Sequence, residues 1–123
     1  MVETLESTIV LSLGKDKEKE FERITTQLGN NLKTSVPNSK SYDVWIAKEG
    51  NKGFIRQRSE DSKSMINYHN ELKKNLIDLQ KTGQVINSYL FGTADSDVIK
   101  SAEMLINNVK PTMYNRHIVS IKR

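Results

Sequence analysis

One run, Gly53–Leu79 (GFIRQRSEDSKSMINYHNELKKNLIDL), constrains this chain more than any other. Phe54 and the side chains two and four along, Arg56 and Arg58, fall on one face of an extended strand, because strand side chains alternate. Ser59, Asp61 and Ser62 follow, residues whose side-chain oxygens can accept from the first free N–H groups of a helix. Met65, His69, Leu72, Leu76 and Leu79 then recur at spacings of four, three, four and three, which puts all five on one helical face. The run is therefore a strand, a capped turn and an amphipathic helix. A titratable ring, His69, sits inside the helix's apolar stripe.

The flanking segments repeat these signals. Ser7–Leu13 is β-branched, alternating and closed by Gly14, and reads as a first strand. A helix is expected from Lys15 to about Leu32, with Phe21, Ile24, Leu28 and Leu32 inward. Pro37-Asn38-Ser39 marks a loop. Tyr42–Ala47 is a second strand, with Tyr42, Val44 and Ile46 on one face and Asp43, Trp45 and Ala47 on the other. Glu49-Gly50-Asn51-Lys52-Gly53 is a hairpin turn leading into the third strand, Phe54–Arg58. Gln84–Phe91 is a fourth strand stopped by Gly92. Asp95-Ser96-Asp97 caps a third helix with Val98, Ala102, Leu105 and Val109 inward, and Met113–Ile121 alternates as a fifth strand.

The order β-α-β-β-α-β followed by α-β predicts an α+β, ferredoxin-like fold: an antiparallel sheet with helices on one face and a C-terminal αβ extension. The 123 residues fit one domain, residues 1–123, with no repeat or linker to divide them. Such a sheet leaves its other face bare. Trp45 and its neighbours would be exposed there, so a homodimer through sheet faces is expected.

Composition closes off several chemistries. With no cysteine there are no disulfides, thiolate nucleophiles or Cys-based metal sites. Two histidines far apart, His69 and His117, make no metal-site pattern, and Asp95 and Asp97 read as helix caps, so no metal is expected. No apolar run approaches the length of a membrane span, and the acidic start MVETLEST is unlike a secretion signal. A soluble cytoplasmic protein without membrane contact is expected. The net charge of +4 is spread through mixed runs such as Lys15–Arg23, the pattern of a solvated helix face. RNA-recognition modules share the βαββαβ order, and Lys52-Gly53-Phe54 begins their third-strand motif. Ile55 and Arg56 then break it and strand one has no aromatic, so no nucleic-acid partner is expected.

The run RQRSEDSKSMINYHNEL, together with the tail from Tyr89-Leu-Phe-Gly92 through a capped helix to a last strand, resembles the antibiotic-biosynthesis-monooxygenase-like superfamily of dimeric α+β barrels, in particular its quinol-monooxygenase members. The resemblance implies cofactor-independent oxygenation of a small aromatic, quinol-type substrate by O2. In that chemistry a base removes the substrate's hydroxyl proton and the anion reduces O2 directly. Carried onto this chain, it makes His69 the candidate base, Trp45, Tyr42, Tyr68 and Tyr89 candidate walls of the substrate pocket, and Arg56 a candidate anion holder. Strand three here carries Arg56, Gln57 and Arg58 where relatives commonly place an acid. The haem-degrading branch is a poorer match, since its strand-one Asn and strand-three Trp are missing. The alternatives are a core histidine bonded to a backbone carbonyl, Arg56 and Arg58 paired with Glu60 or Asp61, and a non-catalytic ligand-binding or dimerisation protein.

Overall fold

The computed structural model describes residues 4–49, 51–106 and 109–121. The elements run β1 (Leu5–Leu13), α1 (Glu18–Ser35), β2 (Ser39–Ile46), β3 (Lys52–Ser59), α2 (Ser62–Thr82), β4 (Gly83–Phe91), α3 (Ser96–Leu105) and β5 (Thr112–Tyr114). One sheet orders them β2-β3-β1-β4-β5. The first four strands are antiparallel, in the ferredoxin-like arrangement. β5 joins β4 in parallel, so the C-terminal extension makes the sheet mixed.

The alternation of β1 decides where the core lies. Leu5, Ile9, Leu11 and Leu13 are buried against the helices. In β3 the same side receives Gly53, Ile55, Gln57 and Ser59, all buried. α1 contributes Phe21, Ile24, Leu28 and Leu32, and α2 contributes Met65, Tyr68, Leu72 and Leu79. The spacing argument holds for both helices, and α2 buries Tyr68 in addition to the five expected residues, Leu76 being only partly covered. Asp61 is the N-cap of α2, accepting from the Ser64 N–H at 2.8 Å, and Asp95 caps α3 through the Val98 N–H at 3.0 Å. Ser59 is no cap; it is a buried strand residue donating to Gln57 Oε1.

Two expectations fail at the C-terminus. α3 ends at Leu105, with Ile106 already in extended backbone, so Val109 lies beyond the helix although it still packs on the core. The fifth strand covers three residues instead of nine. Residues 115–121 alternate in sequence but pair with no strand, because β4 ends at Phe91, which the parallel register sets beside Tyr114, the last residue of β5. The hairpin turn expected at 49–53 includes Gly50, which is outside the described residues; Ala47 N–H to Lys52 O at 2.9 Å closes the hairpin.

Candidate functional site

The sheet sorts the candidate residues onto two sides. Facing the helices are Tyr42, Tyr68 and His69. Facing away are Trp45, Arg56 and Tyr89, since Trp45 pairs with Phe54, Asp43 with Arg56, and Tyr89 with Thr8. His69 and Trp45 therefore cannot line one cavity within a single chain.

On the helix side, His69 is 2% exposed and its Nδ1 lies 2.8 Å from Ser101 Oγ on α3. The partner is a hydroxyl on the extension helix, not a backbone carbonyl. Burial pushes the imidazole down to about 4, so at neutral pH it is uncharged. Tyr68 is fully buried beside it, ring centroids 6.0 Å apart. Its hydroxyl has no hydrogen-bond partner among the described residues, and burial raises its pKa. Tyr42 donates to the Thr25 carbonyl at 2.7 Å and sets the Cε2–Cδ2 side of its ring against Gly29, where a Cβ would lie 2.8 Å from Cε2. Burial raises its pKa as well. Beneath these rings runs a buried polar chain the strand reading did not single out: Gln57 Nε2 donates to Ser39 Oγ at 2.8 Å, and Ser59 Oγ donates to Gln57 Oε1 at 2.8 Å. Two clefts reach this side along the α1–β2 seam, both lined by Thr26 and Tyr42. Neither is lined by His69.

Because the Tyr68 hydroxyl is buried without a partner, removing it should cost nothing. Tyr68→Phe is expected to leave stability unchanged or raise it by about 1 kcal/mol, read from urea unfolding midpoints. A clear loss would mean that the hydroxyl is hydrogen-bonded in solution.

The open face is aromatic. Five of the chain's eight Phe, Trp and Tyr residues stand on it: Trp45, Phe54, Tyr89, Phe91 and Tyr114. The rings of Phe91 and Tyr114 stack at 4.9 Å, and Tyr89 is tilted against both. A cleft of about 480 Å³ lies among Phe54, Tyr89, Phe91 and Tyr114, with Glu6, Thr8 and Arg56 as its polar groups. Arg56 pairs with Asp43 at 3.2 Å and Arg58 with Glu6 at 3.9 Å, so the arginines bind across strands and not to Glu60 or Asp61. The cleft gathers two candidates chosen from sequence, Arg56 and Tyr89, and adds Phe54, Phe91 and Tyr114. Phe91 was reachable by alternation from Tyr89. Tyr114 was not, because its place depends on the parallel β4–β5 pairing.

Among the described residues no three His, Asp or Glu side chains converge as a metal site would require, and no helix is long and apolar enough to cross a membrane.

No family model and no curated sequence matches the chain. Solved structures do. MupZ from Pseudomonas fluorescens superposes with a TM-score of 0.78 over 99% of this chain and 91% of its own, at 10% identity. SnoaB from Streptomyces nogalater, a cofactor-independent oxygenase, matches in mutant form with a TM-score of 0.62 over 78% of this chain and 97% of its own, at 10% identity. A candidate antibiotic biosynthesis monooxygenase from Caulobacter crescentus gives 0.60 over 71% and 84%, at 14% identity. At such identities the likeness is one of fold. The architecture of this chain is that of the antibiotic-biosynthesis-monooxygenase-like proteins.

Proposed function

We propose that the chain is a homodimeric, cofactor-independent oxygenase of small aromatic quinol- or phenol-type molecules, with the substrate seated on the open sheet face. The observation that carries this reading is the cleft of Phe54, Tyr89, Phe91 and Tyr114 with Arg56 at its side. Its volume and its mostly aromatic wall with a few polar groups suit a planar ring bearing an oxygen. The Arg56 guanidinium would favour the ionised hydroxyl, and Tyr89 would orient it. Trp45, beside Phe54 on the same face, extends the wall. The hydroxyl proton leaves to water as the substrate docks, the anion passes one electron to O2, and the phenoxyl and superoxide radicals combine to a ring-bound peroxide anion that takes up a proton; loss of water, with the hydrogen of that ring carbon, leaves a quinone. The fold shared with SnoaB supports the choice of reaction class. Sheet-face dimerisation would exclude water from the cleft.

A second reading keeps His69 as base on the helix side. An uncharged imidazole whose ring lies 6.0 Å from that of Tyr68, a residue whose hydroxyl has no partner among the described residues, favours it.

Oxygen uptake with hydroquinones and anthrols, without added cofactor, separates the two. Trp45 is the sole tryptophan and is 61% exposed on the open face, so its fluorescence reports occupancy there. Ligand-dependent quenching and uptake that falls at least about tenfold in Arg56→Gln but persists in His69→Gln would support the open-face site. Loss in His69→Gln alone would move the chemistry to the helix side. Quenching without uptake would leave a non-catalytic binding protein.

A further inference from the structure

The geometry points to a binding site for a small organic carboxylate in the cleft between the last turns of α1 and the start of β2. It lies on the opposite side of the sheet from the aromatic cleft and does not depend on it.

An irregularity in β2 builds this cleft. Ser39 pairs with Ser59 and Tyr42 with Gln57, and Ser59 and Gln57 share the inner face of β3, so Ser39 and Tyr42 both turn towards the helices. They are three residues apart, and an unbroken strand would send them to opposite sides. The register shifts between Ser39 and Ser41, where Lys40 is the extra residue of a bulge in the sheet's edge strand. From α1, Thr26, Gly29 and Lys33 follow at spacings of three and four, one helical face. Helix and strand enclose about 440 Å³, with Lys33, Ser39, Lys40 and Tyr42 among the lining residues.

The polar groups here are donors that have nothing to donate to. Gln57 is fully buried and its Nε2 donates to Ser39 Oγ at 2.8 Å, which leaves the Ser39 hydroxyl proton to be given elsewhere. Lys33 and Lys40 form no ion pair among the described residues, and no aspartate or glutamate lines the cleft. The C-terminal end of α1 brings about half a negative charge. Two ammonium groups outweigh it, and the cleft favours an anion. Val36, Pro37 and the Tyr42 ring add apolar surface. Cations and a hydroxyl donor beside an apolar wall suit a carboxylate carried on a ring or a short chain.

The test is a titration of the whole chain with benzoate, read by NMR from the backbone amide shifts. Benzoate is expected to move the amides between Thr26 and Tyr42 saturably and to bind at least about tenfold more tightly than benzamide, its uncharged counterpart of the same shape. Lys33→Gln with Lys40→Gln, at two exposed positions and so without effect on the fold, should weaken benzoate at least about tenfold and leave benzamide unchanged. Equal affinities for benzoate and benzamide, or benzoate binding that survives the double change, overturn the site. Shifts centred on Phe54, Tyr89 and Phe91 with none on α1 also overturn it, and put the anion on the open face beside Arg56. Inorganic phosphate that moves the same amides at the same concentration as benzoate overturns the choice of a carboxylate with an apolar body.

Discussion

Replacing Phe21 with alanine is expected to lower folding stability by about 4 kcal/mol, a large share of the roughly 5–15 kcal/mol that holds a domain together. Phe21 is fully buried, and its ring rests on Gly53, where a Cβ would lie 2.5 Å from Cζ and 2.9 Å from both Cε atoms. The ring cannot yield, since the helix-side core surrounds it. Gly53→Ala should therefore cost about 2 kcal/mol by overpacking. Made together, the two changes should cost less than their sum by about 1 kcal/mol or more, because the new methyl enters the space the ring has vacated. Urea unfolding of the four proteins measures this coupling. Strict additivity would show that Phe21 and Gly53 are not in contact.

Acidification should destabilise the protein through His69. Burial holds the folded-state pKa at about 4, below the ordinary 6.5 that the unfolded chain regains. Between these values the unfolded state binds more protons, so stability rises with pH, and it falls as the pH drops from about 6.5 to about 4. The loss across that window is about 3 kcal/mol. Above it the imidazole is neutral in both states and contributes no slope. Other groups titrate in the same range, so the comparison is with His69→Gln, which keeps a hydrogen-bonding side chain for Ser101 but has no titration. The variant should lose most of the slope that wild type shows between about pH 7 and about pH 4. Equal slopes would mean that the imidazole is not buried in solution.

Element order and the inward stripes were legible because each rests on one local period. Phe21, Ile24, Leu28 and Leu32 need only the helical repeat, and Tyr42, Val44 and Ile46 only the strand repeat. The bare face was legible too, since helices that pack on one side leave Trp45 on the other. What the periods do not contain is how strands pair. Tyr42 and Trp45 are three residues apart, yet the sheet lies between them. His69 and Arg56 belong to one continuous run and face opposite sides. The aromatic cleft draws on β1, β3, β4 and β5, so its membership depends on register across four strands. Gln57 reads as one polar residue between two arginines, and only the burial of its strand's inner face shows it to be the centre of a buried polar chain. The C-terminal strand was overread because alternation states that a segment could pair, and not how far the neighbouring strand runs beside it.

The central position of β1 has a consequence for how the molecule is made. Leu5–Leu13 leaves a ribosome before both its neighbours in the sheet, Lys52–Ser59 and Gly83–Phe91. During synthesis the most hydrophobic strand waits with both edges bare while most of the chain is translated. It can dock first on β3, closing the hairpin with β2 under α1, and gain its second neighbour only when α2 and β4 have emerged. Such distant pairings slow folding and expose a strand template in the interval. The nascent N-terminal half, more than the finished protein, is where aggregation should begin.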